Sequence, residues 1–346
     1  MAAVKTQGGL MTKYIGLDIH SSTCSFCVVN DAGEILDQRD IVSNGRLLIE
    51  YIQSIEGHKK LALEECELSA WGHELFVNRV DELIVCDPVK NGTYKRAKTD
   101  KLDAKHLASL LRGGFLSSVY HDGSKRQHFR ALMSGYQDVV DTGVRMKNRY
   151  ASLFRKAGMR QNGSAFYEDE SLLNDLPRPD QRFVAKSFYG MMGSIEEQRE
   201  AYLDEIKKSS RCFREIKLLK TIPGIGDIHA ARIVSQVVTP ERFKSKYKFF
   251  SYCGLVRQTQ SSGGKDYPGA RIHGNRVLKC VYKMAARSAL NGSSALREYY
   301  DRLRGQGLNA KSARNAVSRK IAAISLAVWK HGTKYNDAMI QGSVKS

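Results

Sequence analysis

The run Tyr14-Ile15-Gly16-Leu17-Asp18-Ile19-His20 is apolar up to a carboxylate and ends soon after it. Aromatic and β-branched residues favour a strand, which puts Asp18 near a strand end. Working outward, Cys24–Asn30 and Glu34–Arg39 read as two more strands, separated by the turn signal Asn30-Asp31-Ala32-Gly33. Arg46–Ile55 has helical spacing, Lys60–Glu64 reads as a strand and Ala70–Arg79 as a helix. Asp81–Cys86 is a strand closed by Asp87-Pro88, and Lys101–Leu111 is a helix with Leu102, His106, Leu107 and Leu110 at helical spacing. The order β-β-β-α-β-α-β-α predicts a mixed α/β domain over residues 11–123.

Beyond it the pattern turns helical. Residues 124–217 lack strand alternation, and Leu132, Val139, Val140, Val144, Leu153 and Phe154 form an apolar stripe that predicts long helices, a paired or coiled-coil spacer broken near Pro177 and Pro179. A third region over 218–334 opens with Ile222-Pro223-Gly224-Ile225-Gly226 and continues with helices on either side of a Gly/Ser-rich loop, Ser261 to Gly264. Residues 335–346 read as a loose tail.

Hydrophobic residues make up 42% of the 346, ordinary for a globular chain that buries a core. No apolar run reaches the ~20 residues of a membrane-spanning helix, and the start is polar, so cytoplasmic residence is the expectation. Seven cysteines are scattered. Cys24 and Cys27 form a C-x-x-C, but residues three apart on a strand point to opposite faces; buried free thiols fit better than a metal or redox pair.

Charge is the strongest global signal: 55 Lys+Arg against 36 Asp+Glu, a net +19. From Lys125 to Arg160 nine basic residues meet only Asp138 and Asp141, and from Arg242 to Arg287 eleven meet only Asp266. A solvated face mixes both signs; single-sign stretches fit a phosphate backbone, whose counterions each contact releases. An anionic membrane surface fits less well, since no Trp/Phe-rich amphipathic helix accompanies the charge.

Three constellations carry candidate chemistry. Asp18 and Glu64 close the first and fourth strands; if those strands pair, ~4.8 Å apart, the two carboxylates converge on one sheet edge. Glu65 and Glu67 are alternatives to Glu64. Asp100 and Asp103 share a helix face at i and i+3. Four such acids suit two divalent ions held ~3.5–4 Å apart, the arrangement that activates an attacking oxygen and stabilises a leaving one. Magnesium, with its preference for oxygen ligands, or manganese fits that set. Each acid alone is also explained as a turn, cap or first-turn residue. The second constellation is Gly254-Leu255-Val256-Arg257-Gln258-Thr259-Gln260-Ser261-Ser262-Gly263-Gly264-Lys265. A serine beside glycines exposes its hydroxyl to a backbone phosphate, although spacing alone favours a flexible loop. Gly263-Gly264-Lys265 lacks the spacing of a phosphate-binding P-loop. The third is the glycine turn at 222–226, similar to a helix-hairpin-helix. There Gly224 and Gly226 precede a helix start whose N–H groups can hold a phosphate.

Together, Gly-Leu-Asp-Ile-His, Leu-Glu-Glu, Lys-Thr-Asp-Lys-Leu-Asp-Ala (98–104) and Ser-Ser-Gly-Gly-Lys followed by His-Gly-Asn-Arg resemble the DEDD transposases of the insertion-sequence one-ten family, which includes the Piv-like invertases. The resemblance spans roughly Lys13 to Gly332. It implies a ribonuclease-H-like (RuvC-like) N-terminal domain, a coiled-coil spacer and a mainly α C-terminal transposase domain. Its four acids map onto Asp18, Glu64, Asp100 and Asp103, which would hold Mg²⁺. Its catalytic serine maps onto Ser262, with Ser261 the neighbouring alternative, attacking DNA to form a phosphoserine link. It further implies donor and target double-stranded DNA, a noncoding bridge RNA, and assembly as dimers and tetramers. Lys244, Lys246, Lys248, Lys265, Arg271, Asn275 and Arg276 join Gly224 and Gly226 as candidate nucleic-acid contacts. Arg257 replaces a frequent proline, and Ala270-Arg271-Ile272-His273-Gly274-Asn275 replaces the usual Ile-Thr-Lys-x-Gly-Asn. The rivals are a RuvC-type nuclease that leaves the serine idle, an actin-like ATPase, for which no second glycine-rich half is present, and a non-catalytic binding module, in which four acids would repel phosphate.

Overall fold

A computed structural model of the chain describes residues 11–88, 100–120, 125–159, 163–256, 260–262, 265–267 and 274–341. It separates into two compact units, Met1–Gly123 and Ser124–Ser346.

The first unit holds a five-stranded mixed sheet. Its strands are β1 (Thr12–Ile19), β2 (Thr23–Val29), β3 (Ile35–Val42), β4 (His58–Glu64) and β5 (Glu82–Cys86). Their order is β3-β2-β1-β4-β5. The first three are antiparallel neighbours, while β1–β4 and β4–β5 are parallel. Among the described residues helices α1 (Gly45–Ser54), α2 (Ser69–Phe76) and α3 (Asp100–Gly113) accompany it. Over the described residues the elements follow the order the periodicity predicts, with ends displaced by a few residues.

Strand alternation sorts side chains between two cores. Ile15, Leu17, Ile19, Phe26, Leu61 and Leu63 pack with Leu48, Ile52 and Phe76 of α1 and α2. On the other face Cys27 and Val29 pack with Ala104 and Ala108 of α3. Cys24 belongs to the first core and Cys27 to the second, so the C-x-x-C thiols do face apart as free cysteines. The interior strand β2 is buried along nearly its whole length, whereas the edge strand β3 carries Asp37, Arg39 and Asp40, charges that discourage further pairing at an open edge.

The second unit begins with α4 (Lys125–Lys156) and α5 (Pro179–Ser210), each of 32 residues and so ~48 Å long at 1.5 Å per residue. They run antiparallel. Gly135 approaches Tyr202, while Gly143, further along α4, approaches Ile195, earlier on α5. Pro179 sits in the first turn of α5, where its missing N–H costs no hydrogen bond. Tyr150, Phe154 and Phe166 close one end of the pair, with ring centroids 4.9–5.2 Å apart. At the other end Phe129, Met133 and Ile206 enter the core of the helices that follow.

Those helices are α6 (Arg214–Leu219), α7 (Asp227–Val237), α8 (Lys246–Tyr252), α9 (Arg276–Ala289), α10 (Ala295–Gly305), α11 (Ala310–His331) and α12 (Ala338–Gln341), with a hairpin of β6 (Gln260–Ser262) and β7 (Lys265–Tyr267) between α8 and α9. Buried Glu215 of α6 pairs with Arg126 of α4, and Tyr282 of α9 bonds Ser325 of α11 at 2.7 Å. The ordered chain continues past residue 334, where the sequence places a loose tail. The Tyr335 N–H donates to Thr221 Oγ1 at 2.9 Å, Lys320 Nζ donates to the Ile340 carbonyl, and Ile340 is buried. No helix among the described residues is long and apolar enough to cross a membrane.

Candidate active site

Gly16 sets the geometry of the first unit's acidic site. A Cβ there would lie 1.9 Å from the Ala104 carbonyl oxygen and 2.6 Å from the Ala108 nitrogen. The missing side chain, opposite two alanines that are fully buried, lets α3 lie directly on β1. Asp18, two residues on, shares the face of Gly16 and therefore faces the first turn of α3, where Asp100 and Asp103 stand. That turn is tied to the edge strand: Gln38 donates to the Lys101 carbonyl at 2.8 Å, and Lys101 Nζ lies 3.2 Å from Asp40. Asp40 in turn accepts from Ser25 at 2.7 Å, a bond that holds its carboxyl below the usual range.

The expected pairing of the first and fourth strands is present, with Gly16 opposite Ala62 and Leu17 opposite Leu63. Continuing the register by one residue sets Glu64 beside Asp18. Alternation puts it on the α3 face, because Leu61 and Leu63 fill the opposite core. Glu65 donates its backbone N–H to the Cys86 carbonyl at 2.9 Å.

His20 is the site residue that the sequence argument left out. Its Nε2 lies 3.3 Å from Asp18 Oδ2 and 3.8 Å from Asp100 Oδ1. Asp18, His20 and Asp100 each offer a ligand atom within 4.8 Å of the others; among the described residues this is the group that meets that spacing, and Glu64 and Asp103 are outside it. A signal was available: His20 follows Asp18 at i+2, the spacing of one strand face. Burial raises the Asp18 carboxyl pKa, His20 opposes the rise, and the negative charges of Asp100 and Asp103 add to it. Negative charges gathered around Asp18 in this way fit a site completed by a cation.

In the second unit, Ser261 and Ser262 do not lie in a loop. They belong to β6, where Ser261 pairs with Asp266 and Ser262 with Lys265 of β7. The segment that carries them leaves and returns at one point. Gly274, at φ +138°, is so close to Gly254 that a Cβ would lie 2.6 Å from its nitrogen. Asn275 fastens the same place: its N–H donates to the Tyr252 carbonyl at 2.7 Å, its Nδ2 to Gln236 Oε1 at 2.7 Å, and its Oδ1 caps α9 by accepting from Leu278 N at 2.9 Å. The polar atoms of Asn275 are thus engaged within the protein. Arg257, Gly263, Gly264, Arg271 and the side chain of Lys265 lie outside the described residues, as do Lys98 and Thr99.

Lys244 and Lys248 are exposed and Lys246 is half-buried at the start of α8, while Arg276 is exposed at the start of α9. The turn at 222–226 leads into α7 through Gly226, and no side chain caps that helix. Gly224, at φ +85°, packs on α9, where a Cβ would meet the Ala285 carbonyl at 2.1 Å. Lys220 pairs with Asp227 in the first turn of α7. Burial holds the His229 imidazole pKa below its ordinary value, although His229 Nδ1 lies 3.3 Å from the Gly224 carbonyl.

Two family models match the chain: one described as a transposase, of the IS110 DEDD type, over residues 15–158, and the IS116/IS110/IS902 transposase family over 216–301. The chain belongs to the IS110 family of DEDD transposases. The first match contains Asp18, Glu64, Asp100 and Asp103; the second contains Ser262 and both clamped glycines. A transposase for insertion element IS1111A from Coxiella burnetii is 21% identical over 80% of this chain and 78% of its own length. The IS110 protein of Streptomyces coelicolor is 29% identical over 46% of this chain and 40% of its own, and the IS116 protein of Streptomyces clavuligerus 26% over 34% and 29%. An IS110-type transposase is an enzyme that cleaves and rejoins DNA, and DEDD transposases depend on divalent metal.

Proposed function

We propose that this transposase recombines DNA through two chemical centres: a carboxylate site of Asp18, Glu64, Asp100 and Asp103 on a ribonuclease-H-like (RuvC-like) domain, and a nucleophilic Ser262. The single observation that carries the reading is the parallel β1–β4 pair in the order β3-β2-β1-β4-β5, with α3 seated on Gly16. That arrangement draws acids from three distant parts of the chain toward one end of the sheet. The donors are mostly carboxylate oxygens, which suits Mg²⁺, while the imidazole of His20 also suits Mn²⁺. A bound ion there would neutralise phosphate charge and stabilise charge building on the attacking and leaving oxygens.

The remaining chemistry belongs to the chain. The Ser262 hydroxyl gives up its proton and attacks the scissile phosphorus. A serine–phosphate ester forms, the bond from phosphorus to the leaving deoxyribose oxygen breaks, and that oxygen takes up a proton. Attack by a hydroxyl of the second duplex restores the serine and joins the strands, so the energy of the phosphodiester is conserved. The clamp at Gly254, Gly274 and Asn275 fixes the base of the segment carrying the serine. Lys244, Lys246, Lys248 and Arg276 contact the DNA backbone. Following the family resemblance, a structured noncoding bridge RNA pairs with donor and target, and the enzyme works as a dimer or tetramer.

The test is a denaturing gel of protein incubated with cognate element-end DNA and Mg²⁺. A covalent protein–DNA band is expected from the wild type and from Ser261→Ala, and none from Ser262→Ala. Cleavage by Ser262→Ala without any covalent band in the wild type would replace this reading with a RuvC-type nuclease.

A further inference from the structure

Helices α9 and α11 share a core and a buried Tyr282–Ser325 hydrogen bond, and neither contains an acidic residue. On α9 the residues Arg276, Lys279, Lys283 and Arg287 recur at three- or four-residue intervals, which places them along one stripe of the helix. The opposite stripe, with Leu278, Val281, Tyr282, Ala285 and Ala289, is buried. Exposed Lys311 and Arg314 begin α11. Between the two helices lies a groove of about 530 Å³ walled by Lys283, Arg287, Lys311 and Arg314, with Met284 and Asn315 beside them.

These four cations contrast with exposed cations that are neutralised by a neighbouring acid. Arg46, Arg178 and Lys208 each pair with an acid, to Glu50, Asp180 and Glu205. Among the described residues Lys283, Arg287, Lys311 and Arg314 have no ion pair. Four unneutralised charges facing one trough repel one another, and an anionic ligand would relieve that repulsion. The groove also lacks an aromatic wall. Single-stranded nucleic acid is usually held by base stacking on such walls, whereas a duplex offers a continuous phosphate backbone and needs none.

We infer that the α9–α11 groove is a sequence-independent seat for the phosphate backbone of double-stranded DNA, distinct from the lysines of α8 and from the turn at 222–226. The inference depends on the family acting on DNA, not on the assignment of Asp18 or Ser262. The experiment is fluorescence anisotropy of the full-length protein on a random-sequence duplex across a salt series. A variant with Lys283→Gln, Arg287→Gln, Lys311→Gln and Arg314→Gln is expected to bind at least ~10-fold more weakly, and its log–log salt slope to fall by about 3–4, near 0.9 for each lost contact. The four positions are exposed, so the circular dichroism spectrum and melting temperature should stay at wild-type values. A control removing the same charge from ion-paired positions, Arg46→Gln, Arg178→Gln, Lys208→Gln and Lys60→Gln (Lys60 pairs with Glu82 at 2.7 Å), should leave the slope near wild type. Equal losses in both variants would reduce the effect to net charge and overturn the inference. So would an unchanged slope in the groove variant, or a loss confined to single-stranded RNA with duplex DNA binding intact. Failure of the catalytic reading looks different: Ser262→Ala would still form the covalent band while the groove variant still lost affinity.

Discussion

The acidic centre of the first unit and the serine segment of the second are positioned in opposite ways. Asp18, Glu64, Asp100 and Asp103 stand on regular elements, and the helix that brings the last two is pressed onto β1 at Gly16. Ser262 stands on a three-residue strand in a segment whose base is fastened by the Gly254–Gly274 contact and three hydrogen bonds of Asn275. One glycine in each unit does the corresponding work, permitting backbone to meet backbone where any Cβ would intrude. The difference fits the proposed mechanism, in which ligands of an ion are fixed by packing and the serine that attacks DNA is carried on a segment with a fixed base.

The largest effects should come from removing the chemistry while sparing the scaffold. Asp18→Ala and Asp103→Ala are each expected to reduce strand exchange to background in a plasmid recombination assay, with duplex binding retained. Recombination near the wild-type level in either would remove that carboxylate from the mechanism. Next come the two glycines. Gly16→Ala should lower the stability of the first unit by at least about 1–3 kcal/mol, the usual cost of overpacking, seen as an earlier denaturant midpoint, and should weaken Mn²⁺ binding measured by paramagnetic relaxation. Gly274→Ala should leave Mn²⁺ binding at the wild-type level and reduce the covalent DNA adduct. If the two variants gave the same pattern, the contrast between the sites would fail.

A smaller effect is expected from the lysines of α8. Replacing Lys244, Lys246 and Lys248 with glutamine should weaken duplex binding and flatten its salt dependence by up to about 2.7; an unchanged slope would mean they do not face phosphate. The smallest concerns pH. Because burial lowers the folded-state pKa of His229 below its ordinary 6.5, the neutral ring contributes stability above that value. The contribution is lost as pH falls through 6.5 and then through the lower folded value. His229→Gln should flatten this part of the melting-temperature profile, and a mutant slope equal to wild type would exclude His229 as its source.

Local pattern made the first unit readable. Period-two and helical spacing marked its elements, and Asp18 and Glu64 were visible as acids at strand ends because strand ends are encoded locally. The opposed burial of Cys24 and Cys27 followed from alternation alone. The adjacency of β1 and β4, however, depends on register between strands far apart in the chain. Without that register, a single-chain reading had no reason to prefer Asp18 with Glu64 over a cap and a turn residue. His20 was missed because a lone histidine after a strand has no meaning until Asp100 arrives from α3. The serines read as a loop because glycine and serine favour turns, whereas pairing with Lys265–Tyr267 makes them a strand. Residues 335–341 read as loose because nothing local shows that Thr221 and Lys320 will bond Tyr335 and Ile340.

Composition, periodicity and acid placement were therefore enough for the element order, the basic character and the carboxylate candidates, since each depends on neighbours in sequence. Which carboxylates meet, that an imidazole joins them, that Gly16 and Gly274 are close contacts and that unpaired cations of α9 and α11 face one groove all depend on residues separated by tens to hundreds of positions. Only folding brings such groups together, because the free energy of those contacts comes from burial and register, not from any preference written in a short stretch of chain.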